Sequence, residues 1–109
     1  MLFNPGYKEN GKLNEVPKSK PTSAEHAWYV YIIRASDDSL YTGITTDVRR
    51  RFNEHLSPEK GARYFRGRQP LEVVYCETHP NRGSAQRREA EIKKLSRTSK
   101  LDLIAQGNE

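Results

Sequence analysis

Glu89, Arg51, His55, Tyr31 and Tyr41 stand where folding alone gives little reason for them. Glu89 lies four residues after Ala85 and three before Ile92, so helical periodicity puts its carboxylate on an apolar stripe. Burying an ionised carboxylate is unfavourable unless a cation or hydrogen bonds meet it. An ion pair with one of the many arginines or a metal ion would serve, and spacing alone favours the ion pair. Arg51 and His55 repeat the pattern with the opposite sign. They are four apart and so stacked on one helix face, with His55 nearly above Val48 in the apolar stripe. A single inward histidine is ordinarily a satisfied core residue. An inward Arg–His pair facing an inward Glu is harder to explain by packing. Two strand phenols, Tyr31 and Tyr41, complete the set. Together they could bind an anion, hold a cation and move a proton.

The elements that must position these groups can be read from the pattern. WYVYIIR (residues 28–34) has the aromatic and β-branched residues that suit a strand, ASDDS supplies a turn, and LYTGIT (40–45) is a second strand. Tyr31 and Tyr41 share a face only if the hairpin loop has an odd number of residues, as a three-residue loop over Ser36, Asp37 and Asp38 would. Gly43 beside Tyr41 weakens that strand and suggests that another chain or a ligand approaches closely. Asp47 is placed to cap a helix that carries Val48, Phe52 and Leu56 inward and ends by Pro58 and Gly61. LEVVYCE (71–77) is a third strand. Ser84 is expected to cap a second helix with Ala85, Ile92 and Leu95 inward, and a short helix near residues 100–105 closes the chain. The expected class is α+β: a small three-stranded antiparallel sheet flanked by helices, in the order β-β-α-β-α-α. Residues 1–27, with three prolines and no apolar periodicity, read as an irregular tail, leaving one domain over 28–109.

Composition narrows the partners. Among 109 residues the formal net charge is +5, which favours a polyanion. The charge is concentrated. Seven Lys or Arg face two acids between Arg49 and Arg68, and seven face two again between Arg82 and Lys100. Solvated helix faces would account for some of this. Arg49, Arg50, Arg63, Arg66, Arg68 and Lys93 are the candidate phosphate contacts, with Tyr64 and Phe65 offering a stacking surface. The single cysteine, Cys76, excludes an internal disulfide and fits a reducing compartment, so a cytoplasmic location is expected. No apolar run is long enough to cross a bilayer, no membrane contact is expected, and no obligate protein partner is evident.

Tyr29-Val30-Tyr31, followed by Tyr41-Thr42-Gly43, resembles the paired motif of the GIY-YIG nuclease superfamily. Arg51, ten residues after Tyr41, is similar to that family's catalytic arginine. A-x-x-x-E-x-x-I-K from Ala85 to Lys93 is similar to its metal-binding glutamate helix. The resemblance covers residues 28 to about 105 and is nearest to the small stand-alone bacterial members. Tyr29 replaces the first glycine of the name motif and Thr42 the isoleucine of the second. An asparagine that several relatives use near the C-terminus is not carried onto Asn108. The resemblance implies a metal-dependent endonuclease of nucleic acid, DNA ahead of RNA, with little sequence preference. It implies a divalent cation, Mg²⁺ or Mn²⁺, held by Glu89. Arg51 would stabilise charge on the phosphate and Tyr31 and Tyr41 would place the water, with a tyrosine or His55 taking its proton. The competing expectation is a catalytically silent nucleic-acid-binding module of the same fold.

Overall fold

The computed structural model describes residues 27–107, so the tail expected over 1–27 lies, apart from Ala27, outside the described residues. Strands β1 (Trp28–Ala35), β2 (Leu40–Thr45) and β3 (Pro70–His79) form one antiparallel sheet in the order β2-β1-β3. Helix α1 (Val48–His55) follows β2, a short 3₁₀ turn (Arg63–Arg66) precedes β3, and helices α2 (Arg82–Lys93) and α3 (Arg97–Gly107) come last. The class and the element order are those expected from the sequence.

The hairpin has the odd loop that the two phenols require. Ala35 N–H donates to the Ser39 carbonyl at 2.9 Å, and Asp38 N–H donates to the Ala35 carbonyl at 2.8 Å. Ser36–Asp38 therefore form a three-residue loop. Asp38 closes it at φ 71°, a left-handed conformation that aspartate tolerates. The register then sets Tyr31 opposite Gly43 and Ile33 opposite Tyr41, so both phenols point to one face.

β1 is the central strand and is covered on both faces, which explains its unbroken apolar run. On one face Tyr29, Tyr31, Ile33 and Ala35 pack with Val48 and Phe52 of α1 and with Phe65. On the other, Val30 and Ile32 pack with Tyr75, with Ala85 and Ile92 of α2, and with Leu103 and Ile104 of α3. Asp47 caps α1 as expected, its carboxylate accepting from Arg50 N–H at 3.0 Å.

Three local expectations are corrected. Asn81, not Ser84, caps α2, its side-chain oxygen accepting from Ser84 N–H at 2.9 Å. Leu56 is 49% exposed, because α1 ends at His55 and the histidine takes the inward place. Leu95 is also exposed, lying past the end of α2 where Leu103 and Ile104 already fill that face.

A polar network anchors α2 to β3. The Glu77 carboxylate accepts from Tyr75 at 2.5 Å, meets His79 Nε2 at 2.6 Å, and accepts from Arg88 Nε at 3.0 Å. His79 Nδ1 meets the Ser84 hydroxyl at 2.5 Å, and Arg88 also bonds Glu91 at 3.1 Å. Burial pushes the Glu77 pKa up, but the bonds from Tyr75 and His79 and the Arg88 charge outweigh it and hold the carboxyl below its usual value. Its stabilising effect is present above the unfolded-state pKa and is lost as pH falls through the lower folded value. Glu77→Ala should lower stability by about 1–3 kcal/mol in urea denaturation at neutral pH, with the deficit shrinking below about pH 4.

Candidate active site

The residues singled out for chemistry come from separate elements and converge on Tyr41. Tyr31, on β1, is 1% exposed, and His55, the last residue of α1, is 2% exposed. The Tyr31 hydroxyl lies 2.9 Å from His55 Nε2. His55 Nδ1 accepts from Ala62 N–H at 3.1 Å. A ring nitrogen that accepts a backbone N–H carries no proton, so the proton of the neutral imidazole is assigned to Nε2. His55 therefore donates to the Tyr31 oxygen. Burial, and secondarily the Arg51 charge, lower the His55 pKa to about 4, consistent with a neutral ring. Both ring nitrogens of His55 are thus engaged, Nδ1 by the Ala62 N–H and Nε2 by the Tyr31 hydroxyl.

Tyr41 sits against this pair, its ring centroid 5.2 Å from that of His55 and 6.2 Å from that of Tyr31. Phe65 closes the block at 4.7 Å from His55 and 5.0 Å from Tyr41. Gly43 makes the packing possible. A Cβ there would lie 2.6 Å from the Tyr31 hydroxyl and 3.0 Å from the Tyr41 ring. The close approach that the glycine suggested comes from the neighbouring strand's own phenol.

The two phenols differ in acidity. Burial raises the Tyr31 pKa far above the ordinary phenol value, and the Tyr41 charge adds to the effect. Burial also raises Tyr41, but Lys93 and Arg51 oppose the rise, as does the neighbouring Tyr31 hydroxyl, while Glu89 adds to it. The charges of Arg51 from α1 and of Glu89 and Lys93 from α2 thus all act on Tyr41. Arg51 is held by Glu54 at 2.7 Å and by the Lys60 carbonyl at 3.2 Å. Glu89 is 22% exposed on its side chain and pairs with Lys93 at 3.2 Å. The ion pair favoured by spacing is present, with a lysine of the same helix in place of an arginine.

The outer basic residues divide. Arg49, Arg50, Arg63 and Arg66 are exposed. Arg68 is engaged in the fold, bonded to Asp37 at 2.9 Å and lying over the Tyr64 ring at 4.1 Å. Phe65 is buried and Tyr64 is partly covered, so the expected stacking surface is reduced to part of Tyr64. Glu54 and the Ala62 backbone were not anticipated as parts of the site, and Phe65 was expected as a stacking surface and not as a wall behind Tyr41. Only Glu54 carried a signal, three residues after Arg51 on the same helix.

A divalent cation fits Glu89 by donor chemistry. Among the described residues no three His, Cys, Asp or Glu side chains cluster as a metal site. A single carboxylate suits a hard cation such as Mg²⁺ or Mn²⁺ that keeps water and takes phosphate oxygens, and does not suit structural zinc.

The model of the GIY-YIG catalytic domain matches residues 27–102. The chain belongs to the GIY-YIG family. This GIY-YIG chain is 49% identical over 85 residues to a UPF0213 protein of Desulfotalea psychrophila, covering 78% of this chain and 77% of that one. It is 50% identical over 84 residues to a UPF0213 protein of Cupriavidus necator, covering 77% and 90%. The solution NMR structure of the UPF0213 protein BH0048 from Bacillus halodurans is 47% identical, with a TM-score of 0.47, covering 72% of this chain and 83% of that one. Among the described residues, no helix of the GIY-YIG domain is long and apolar enough to cross a membrane.

Two outcomes are expected. Gly43→Ala should destabilise the protein by about 1–3 kcal/mol, read by thermal or urea unfolding, because the Tyr31 ring must move. His55 is neutral when folded and titrates near its ordinary 6.5 when unfolded, so the unfolded chain binds more protons between these values. Stability should therefore fall as pH drops from about 6.5 to about 4, by roughly 3 kcal/mol for this residue. His55→Gln, which does not titrate, should flatten that part of the curve in urea denaturation.

Proposed function

We propose that the protein is a metal-dependent endonuclease that hydrolyses phosphodiester bonds of nucleic acid, DNA ahead of RNA, with little sequence preference. The observation that carries this reading is the convergence on Tyr41 of a second phenol, a guanidinium and a carboxylate from separate elements. A nucleic-acid-binding module has no use for a largely buried glutamate whose charge acts on a partly exposed phenol.

In the proposed reaction a water attacks phosphorus, and the bond to the leaving oxygen breaks. Tyr41 is the phenol that touches the water, because it is partly exposed while Tyr31 is sealed. The neighbouring Tyr31 hydroxyl lowers the Tyr41 pKa, and His55 fixes the Tyr31 oxygen from behind. Tyr41 is thus the phenol that more readily releases its own proton to solvent, aided by the cationic field of Arg51 and Lys93. As the phenolate it would take the proton of the attacking water. The Arg51 guanidinium, aimed by Glu54 and the Lys60 carbonyl, stabilises charge developing on the phosphate oxygens. Glu89 would hold the divalent cation, which supplies Lewis acidity and orients phosphate and leaving group. Arg49, Arg50, Arg63 and Arg66 would lie along the nucleic-acid backbone, contacts that position the substrate and read no sequence. A cytoplasmic location accords with the free cysteine and is part of the proposal.

Labelled single-stranded, duplex and branched DNA and RNA, incubated with Mg²⁺ or Mn²⁺, provide the test. Wild type should cut at least one of them. Glu89→Ala should reduce cleavage by about a hundredfold or more while retaining binding. Binding without cleavage by both proteins would favour the silent module.

A further inference from the structure

Lys93 is not explained by its expected place among the phosphate contacts. Its ammonium lies 3.2 Å from Glu89 Oε2, with Glu89 one helical turn N-terminal to it, the favourable orientation for such a pair. The two partners are unequal. The Glu89 side chain is half-buried, whereas Lys93 is 54% exposed and carries its charge on a flexible four-carbon stem. Its ammonium therefore stands at the Glu89 carboxylate, and its charge also acts on Tyr41 ahead of those of Arg51 and Glu89. That is the region a divalent cation bound by Glu89 must share.

We propose that Lys93 is a displaceable counter-ion for Glu89, which leaves the carboxylate when a divalent cation binds and moves to a phosphate oxygen of the nucleic acid. The proposal rests on the reading of Glu89 as the metal ligand. An ammonium held near a bound dication works against binding by on the order of tenfold even in bulk water, so the pair must open for the metal to enter. The exposed stem permits that movement with the helix unchanged. The freed ammonium then has an anionic partner only when nucleic acid is present. Metal and nucleic acid each favour release of Lys93 from Glu89, so each strengthens binding of the other, and the coupling is reciprocal. In the absence of substrate Lys93 keeps metal affinity low.

The test is the affinity for Mn²⁺ alone, measured by calorimetry or Mn²⁺ EPR on wild type, Lys93→Met, Glu89→Gln and the double variant, without nucleic acid. Lys93→Met should bind Mn²⁺ about three- to tenfold more tightly than wild type, and Glu89→Gln should abolish the site in either background. Repeating the titration with a non-cleavable phosphorothioate strand should tighten wild type by a larger factor than Lys93→Met. Glu89-dependent Mn²⁺ binding that is unchanged or weakened in Lys93→Met would overturn the counter-ion proposal and leave the metal-ligand reading intact. Binding that does not depend on Glu89 in either background would overturn both. No readout requires cleavage, and the exposed Lys93 can be replaced without opening the core.

Discussion

Two hydrogen bonds to one imidazole hold the centre of this molecule in a single arrangement. Ala62 N–H occupies His55 Nδ1, which leaves the proton on Nε2 and directs it at the Tyr31 hydroxyl. The bond to Ala62 draws the loop after α1 onto the end of that helix, and the bond to Tyr31 joins the helix to the central strand. Losing either would leave a buried polar atom without a partner, which is unfavourable in a water-excluded site. The same bonds assign chemical roles. In this arrangement the ring fixes the Tyr31 oxygen on one side and the loop after α1 on the other. Tyr31, which receives that donation, lies beside Tyr41 with the ring centroids 6.2 Å apart.

The core and the candidate site are therefore largely the same residues. Tyr31, His55 and Phe65 fill the space between the sheet and α1 and also form the wall behind Tyr41. A domain of this size has little interior to spare, and it serves both needs by giving phenols and an imidazole the positions that aliphatic side chains would otherwise take. The arrangement tolerates little volume change, as the contact between Gly43 and the Tyr31 ring shows.

The three consecutive arginines after β2 divide by helical geometry. Arg51, one turn before His55, leans toward the phenols and is fastened by Glu54. Arg49 and Arg50 face outward with Arg63 and Arg66. On the opposite face of the sheet, the Glu77 network fixes α2 against β3, and with it the half-buried Glu89 and its lysine. The site is thus assembled from both sides of the sheet, each side held by its own polar anchor, fully buried at His55 and partly buried at Glu77.

Local periodicity and turn chemistry were enough to specify much of this. The three-residue hairpin loop, the Asp47 cap, the inward lean of Arg51 and His55 and the placement of Glu89 on its helix depend on spacings of a few residues. The α+β order was legible for the same reason, while the grouping of Tyr31, Tyr41, Arg51, His55 and Glu89 was what the family resemblance implied. What lay beyond local pattern is whatever depends on contact between distant segments. Leu56 and His55 compete for one inward place, and the winner was decided by where the chain turns after α1. Phe65 sits among basic residues that suggest an exposed surface, but the loop folds it under Tyr41. The partner of His55 Nδ1 is a backbone N–H, which has no signature in residue type. Which phenol ionises more readily depends on burial and on charges brought from two helices, and these exist only once the chain has folded.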